Sequence, residues 1–218
     1  MVEQVSKEII RSIKRHQNGD ISDAMKRMGL NYGINYGVSI PQLRQMANQY
    51  NADFDLANHL LNTKIREAKI LSSMLFNVEN ITTDQLIEIS RKVENMELVE
   101  QFSRNMYASI TNLNLLLPVL SNGNTWQKLL AVYSASWCVK INAACPTKVV
   151  EWGIEQINSY QDNDDKMAQK AVGFLFQSLA SINGDYKKQM VILAEKMLKS
   201  DNAAVQALAQ EFLWLNMG

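Results

Sequence analysis

The sequence predicts an all-α protein arranged as an α-solenoid, a stack of antiparallel helix pairs curved around a concave groove. Three observations carry that expectation. Only 9 Gly and 3 Pro occur in 218 residues. Almost every segment between turn signals places apolar residues three and four apart, the spacing of one helix face. The connections NVENITTD, NSYQDNDD, SINGD and KSDNA are tight, so short helices must stack as neighbouring pairs. A clear sequence repeat is lacking, although AQKAVGFLFQSLASI and NAAVQALAQEFLWL share small residues followed by a bulky one. With 47% hydrophobic residues the chain can bury a substantial core, and one domain, 1–218, is expected.

Taken in order, Val5, Ile9, Ile10 and Ile13 form the inner face of a first helix, which HQNGD ends. Asp20 or Ser22 is expected to cap a second helix running through Ala24 and Met28. NYGINYGVSIP (31–41) is the one markedly glycine-rich loop, and Pro41 suits the first turn of a helix carrying Leu43, Met46 and Tyr50. Later helices are predicted over 53–62, 64–76, 82–93, 97–110, 124–139, 146–161, 165–181, 185–198 and 203–216.

Charge and special residues exclude several functions. Lys+Arg 22 against Asp+Glu 22 gives a formal net charge of +0, so any attraction to nucleic acid must come from local clustering of cations. No segment approaches the roughly 20 apolar residues of a membrane span, and a cytoplasmic protein is expected. Cys138 and Cys145 stand in no metal-type pattern and His16 is far from His59, so no metal or cofactor is expected and the thiols should be reduced. YGINYG has the wrong spacing for a nucleotide fingerprint.

YGVSIPQLRQMA (36–47), REAKILSSMLF (66–76) and ITTDQLIEISRKVENMELVEQ (81–101) occur in an order and spacing that resemble the AlkD-type alkylpurine DNA glycosylases, which have HEAT-like repeats. QKAVGFLFQSL (169–179) is similar to the corresponding C-terminal helix of that family. The resemblance covers nearly the whole chain. It implies a HEAT-like solenoid with a basic concave groove that holds duplex DNA by its backbone. Active members cleave the glycosidic bond of cationic N3- or N7-alkylated purines without base flipping and without a metal. They stabilise positive charge on the deoxyribose with an aspartate, flank the sugar with two tryptophans and hold the backbone with an arginine.

The resemblance places Glu100 at the aspartate, Met96 at the tryptophan before it, Phe174 at the second tryptophan and Leu129 at the arginine. Met28 matches a family tyrosine. The extra methylene of Glu100 displaces the carboxylate by on the order of 1 Å, enough to cost about 10²-fold where position carries catalysis. Met96 lacks an aromatic face, and Leu129 cannot contact phosphate. Lys128 stands beside Leu129, but one residue along a helix is a rotation of roughly 100°.

From spacing alone these residues also have plain structural readings. Glu100 precedes Arg104 by four, the favoured orientation of a helix-face ion pair. Met96, Leu129 and Phe174 fit core positions, and Trp126, Trp137, Trp152 and Trp214 read as inter-helix packing. Basic residues recur at Lys7, Arg11, Lys14 and Arg15, at Lys26, Arg27 and Arg44 beside the glycine-rich loop, and at Lys187, Lys188, Lys196 and Lys199. Glu88, Glu94, Glu97, Asp162, Asp164 and Asp165 are interspersed among them. The expected function is a monomeric binder of duplex or damaged DNA in this family, with weak, altered or absent N-glycosidic hydrolysis. The alternative, which the neutral charge keeps open, is a HEAT-repeat scaffold for a protein partner.

Overall fold

A computed structural model describes residues 2–141, 145–161 and 165–217; Asp162 and Asp164 lie outside them. Thirteen α-helices occur among the described residues. They are α1 (Val2–Arg15), α2 (Gly19–Arg27), α3 (Ile40–Ala47), α4 (Phe54–Leu61), α5 (Arg66–Leu75), α6 (Thr83–Arg91) and α7 (Met96–Asn105). The remainder are α8 (Leu113–Ser121), α9 (Thr125–Ile141), α10 (Thr147–Ser159), α11 (Lys166–Ala180), α12 (Gly184–Met197) and α13 (Ala203–Met217). No strand forms among these residues; an isolated bridge pairs Ile34 with Ile65. No described helix is long and apolar enough to cross a membrane. The chain divides into two compact units, Met1–Lys92 and Val93–Gly218.

In the first unit α1, with Ile9 and Ile13 buried, packs on α4 and α5, and α3 packs on α5. The glycine-rich loop is built into this core through the start of α5. Glu67 and Arg66 are both fully buried and paired at 3.0 Å. The Glu67 carboxylate accepts the backbone N–H groups of Tyr36 and Val38 at 3.2 Å, and Arg66 Nη1 donates to the Val38 carbonyl at 3.0 Å. Two further backbone bonds, Ile34 N–H to Lys64 O and Arg66 N–H to Ile34 O, fix the loop's register. Gly37 completes it: its φ is +70°, and a Cβ there would collide with the Asn18 carbonyl. The Asn18 N–H in turn donates to Tyr36 O at 2.7 Å.

In the second unit consecutive helices pack as pairs, α8 with α9, α10 with α11 and α12 with α13. The alternate helices α7, α9, α11 and α13 also pack in succession, forming one layer of a two-layer stack. Phe176 of α11 stacks face to face on Phe212 of α13, with ring centroids 4.1 Å apart. Cys138 and Cys145 are free thiols whose sulfurs lie 3.4 Å apart.

Some local expectations are revised. Asn18, not Asp20 or Ser22, caps α2 by accepting the Ile21 N–H at 3.1 Å. The helix predicted over 97–110 breaks at Met106, after which Tyr107–Ser109 form a 3-10 turn. α8 lies in LNLLLPVLS, which the spacing had not marked as a helix. Its interior Pro118 costs about 3 kcal/mol. Burial of Leu113, Leu116, Leu117 and Leu120 offsets that cost at about 1.5–3 kcal/mol each.

Glu67→Ala should remove the carboxylate that faces the buried Arg66 and leave two loop amides without this acceptor, lowering stability by about 3–5 kcal/mol in urea unfolding. Glu67→Gln, which keeps an acceptor oxygen, should cost less.

Candidate functional site

Three helices of the second unit each present a pair of residues one turn apart: Glu100 and Arg104 on α7, Tyr133 and Trp137 on α9, Lys170 and Phe174 on α11. Because α9 packs between α7 and α11, the three pairs meet. Phe174, half-buried, sits at their centre. Its ring lies 5.5 Å from Tyr133, tilted, and 5.4 Å from Trp137, edge-on. The Arg104 guanidinium lies over Trp137 at 4.8 Å from the ring centroid, and Lys140 Nζ over Phe174 at 5.5 Å. Aromatic faces and cations therefore alternate across α7, α9 and α11.

Glu100 supplies the carboxylate of this cluster. It lies on an exposed part of α7, yet crowding by neighbouring atoms raises its pKa above the usual value; Glu97 raises it further, and Lys170 opposes both. Its charge also reaches Tyr133, whose hydroxyl is pushed up to about 12, mainly by burial and then by Glu100. The phenol therefore stays protonated at neutral pH. Glu100 forms no ion pair with Arg104 among the described residues, so the helix-face pair read from their spacing gives way to the stacking of Arg104 on Trp137.

The other candidates are placed as follows. Met96 opens α7, half-buried, one turn before Glu100 and next to the N-cap Asn95, whose side chain accepts the Leu98 N–H. Leu129 is 3% exposed, and Lys128 beside it is exposed. Both line a hollow of about 230 Å³ with Thr125, Asp165 and Ala168. Met28 and Arg44 belong to the first unit. Met28 caps the C-terminus of α2 and is 74% exposed, while Arg44 is half-buried in the last turn of α3. Also in that unit, Lys14 Nζ lies 6.0 Å from the Tyr36 ring centroid. Lys7 is engaged by Glu3 at 2.7 Å, an exposed pair of little energetic weight.

Tyr133, Lys140 and Lys170 were not singled out by the sequence, and Trp137 was read as packing. The available signal was spacing: Tyr133–Trp137 and Lys170–Phe174 both repeat at four, like Glu100–Arg104. Trp152 is buried as expected of a packing residue, whereas Trp214 is 78% exposed. Among the described residues no group of three or more His, Cys, Asp or Glu side chains could hold a metal ion. The side chains that are brought together can stack on flat groups and attract anions, and Glu100 adds a carboxylate beside them.

Residues 9–200 match the family described as DNA alkylation repair enzyme. No curated protein matches the chain. One solved structure, described as "a new family of proteins related to the HEAT-like repeat DNA glycosylases with affinity for branched DNA structures", aligns with a TM-score of 0.77. It is 11% identical in sequence, and the alignment covers 97% of this chain and 95% of the other. At that identity the likeness establishes a shared HEAT-like repeat fold.

Raising a carboxyl pKa in the folded state disfavours the ionised form, so the associated stability is full below the unfolded value and is lost as pH rises through the folded one. Glu100→Gln should therefore match the wild type in thermal melts below about pH 4 and melt higher than the wild type at pH 7.

Proposed function

Starting from the fact that the chain belongs to the family of DNA alkylation repair enzymes, matched over residues 9–200, we propose that it binds damaged or branched duplex DNA through α7, α9 and α11, with N-glycosidic bond hydrolysis weak, altered or absent. One observation carries this reading: Arg104, Lys140 and Lys170 gather around Trp137, Tyr133 and Phe174 in a chain of zero net charge. Cations held at aromatic faces suit a ligand that carries both phosphates and flat bases. The described affinity of the structural relative for branched DNA supports the same partner. On the chemical side, the resemblance sets Glu100 at the position of the family's carboxylate, but Met96 precedes it in place of an aromatic residue and Leu129 is buried and uncharged.

Fluorescence anisotropy on labelled duplex and three-way-junction DNA tests the binding. If about three phosphates are contacted, affinity should fall roughly 40-fold between 50 and 200 mM salt. Arg104→Ala and Lys170→Ala should each flatten the slope by about one unit. Absence of binding to either DNA at low salt would direct the function to a protein partner.

Release of 7-methylguanine from methylated duplex tests the chemistry. The expected result is release by the wild type near the spontaneous rate, with Glu100→Gln binding DNA as well as or better than the wild type through loss of a negative charge facing phosphate. Strong enzyme-dependent release that Glu100→Gln abolishes would instead make Glu100 the carboxylate of a working glycosylase.

A further inference from the structure

Beside the cluster at Glu100 lies a second cavity, of about 390 Å³, between α11 and α13. The two share a wall. Lys170, whose charge acts on Glu100, and Phe174, whose ring meets Tyr133 and Trp137, both line the cavity. Leu208, Phe212 and Leu215 of α13 supply its apolar side. The volume falls within the ~300–1,000 Å³ range of pockets that enclose a small organic ligand.

We propose that this cavity receives one unpaired nucleotide displaced at a branch point, its base between Phe174 and the apolar face of α13 and its phosphate against Lys166 and Lys170. The proposal rests on the DNA-binding reading above and names the part of the DNA that this second site takes. Charge and shape select the occupant. Lys166 and Lys170 stand one turn apart on exposed positions of α11, suited to a phosphate at the rim. Gln169 and Gln177 on the same wall bring amides that can meet the edge of a base, and Glu211 faces them from α13 as an acceptor for exocyclic amines. The Gln177 carbonyl oxygen already accepts the Asn216 amide at 2.9 Å, which fixes that side chain in place. A base stacked within a duplex cannot enter such a recess, whereas an unpaired one at a junction has already lost part of its stacking.

Gly173 permits a direct test. A Cβ there meets Leu208 Cδ1 at 3.4 Å, an ordinary contact, so alanine fits and a longer side chain enters the cavity. Gly173→Met and Gly173→Ala would be compared with the wild type by anisotropy, on fully paired duplex and on a three-way junction with one unpaired 2-aminopurine at the branch. Gly173→Met should lose about tenfold in affinity for the junction and little for the duplex, with Gly173→Ala near wild type at both. In the wild-type complex, 2-aminopurine fluorescence should be shielded from acrylamide. Unshielded 2-aminopurine, or equal junction affinity for a folded Gly173→Met and the wild type, overturns the proposal while leaving duplex and junction binding intact. A wild type that binds neither DNA overturns both this proposal and the reading beneath it. The acrylamide measurement uses only the wild type, so the outcome stands even if Gly173→Met fails to fold.

Discussion

The second unit is organised by the enclosure of α9, which is packed by α7, α8, α10 and α11. A helix enclosed in this way cannot be amphipathic in the ordinary sense, and its buried positions run from Gln127 through Cys138 with few gaps. Small residues make the enclosure possible. Ala131, Ser134, Ala135 and Ser136 are buried, and the two serine hydroxyls satisfy themselves on the Leu130 and Val132 carbonyls one turn back. What is left near the surface is a narrow strip where Trp137, half-buried, and Lys140, exposed, lie above the buried Tyr133. A repeat stack makes sites of this kind because alternate helices share a layer, and each contributes one turn to a common surface.

The first unit meets a different constraint. Its glycine-rich loop has few apolar side chains of its own to bury, and the Arg66–Glu67 pair replaces them by binding backbone. A buried ion pair is no reliable source of net stability, because desolvation rivals the attraction. Its effect here is register: the carboxylate accepts the Tyr36 and Val38 amides, and Gly37 between them takes the positive φ that brings both N–H groups to it. That gives a physical reason for YGVSIP and REAK to occur together in the sequence.

The helical class was legible because amphipathic spacing is a direct image of a half-buried helix, as Ile9 and Ile13 show. α8 was illegible for the converse reason: LNLLLPVL is apolar on nearly every side and contains a proline. The site was legible only in part. The resemblance singled out Glu100 and Phe174, but the partners of Phe174 depend on which faces of α9 and α11 meet, and no single-helix pattern contains that. Spacing also set Arg104 on Glu100, because a local rule counts only residues of its own helix. Trp214 shows the same limit from the other side: helical context suggested packing, and the side chain is 78% exposed.

The competition for Arg104 shows how tertiary contacts can override such a rule. An ion pair one turn apart on an exposed helix contributes about 0.2–0.5 kcal/mol. A guanidinium over an indole contributes about 0.5–1 kcal/mol when exposed and about 2 or more when desolvated. Trp137 is half-buried against Phe174, so the stacked arrangement is the stronger of the two. The outcome changes what the surface can do. Neutralisation by Glu100 would use up the cation and the carboxylate together. Stacking leaves the exposed guanidinium edge open to an anion, while the Glu100 carboxyl feels Glu97, which raises its pKa, and Lys170, which lowers it. A chain with no net charge can in this way still present cations beside aromatic rings, because Arg104 and Lys140 lie over Trp137 and Phe174.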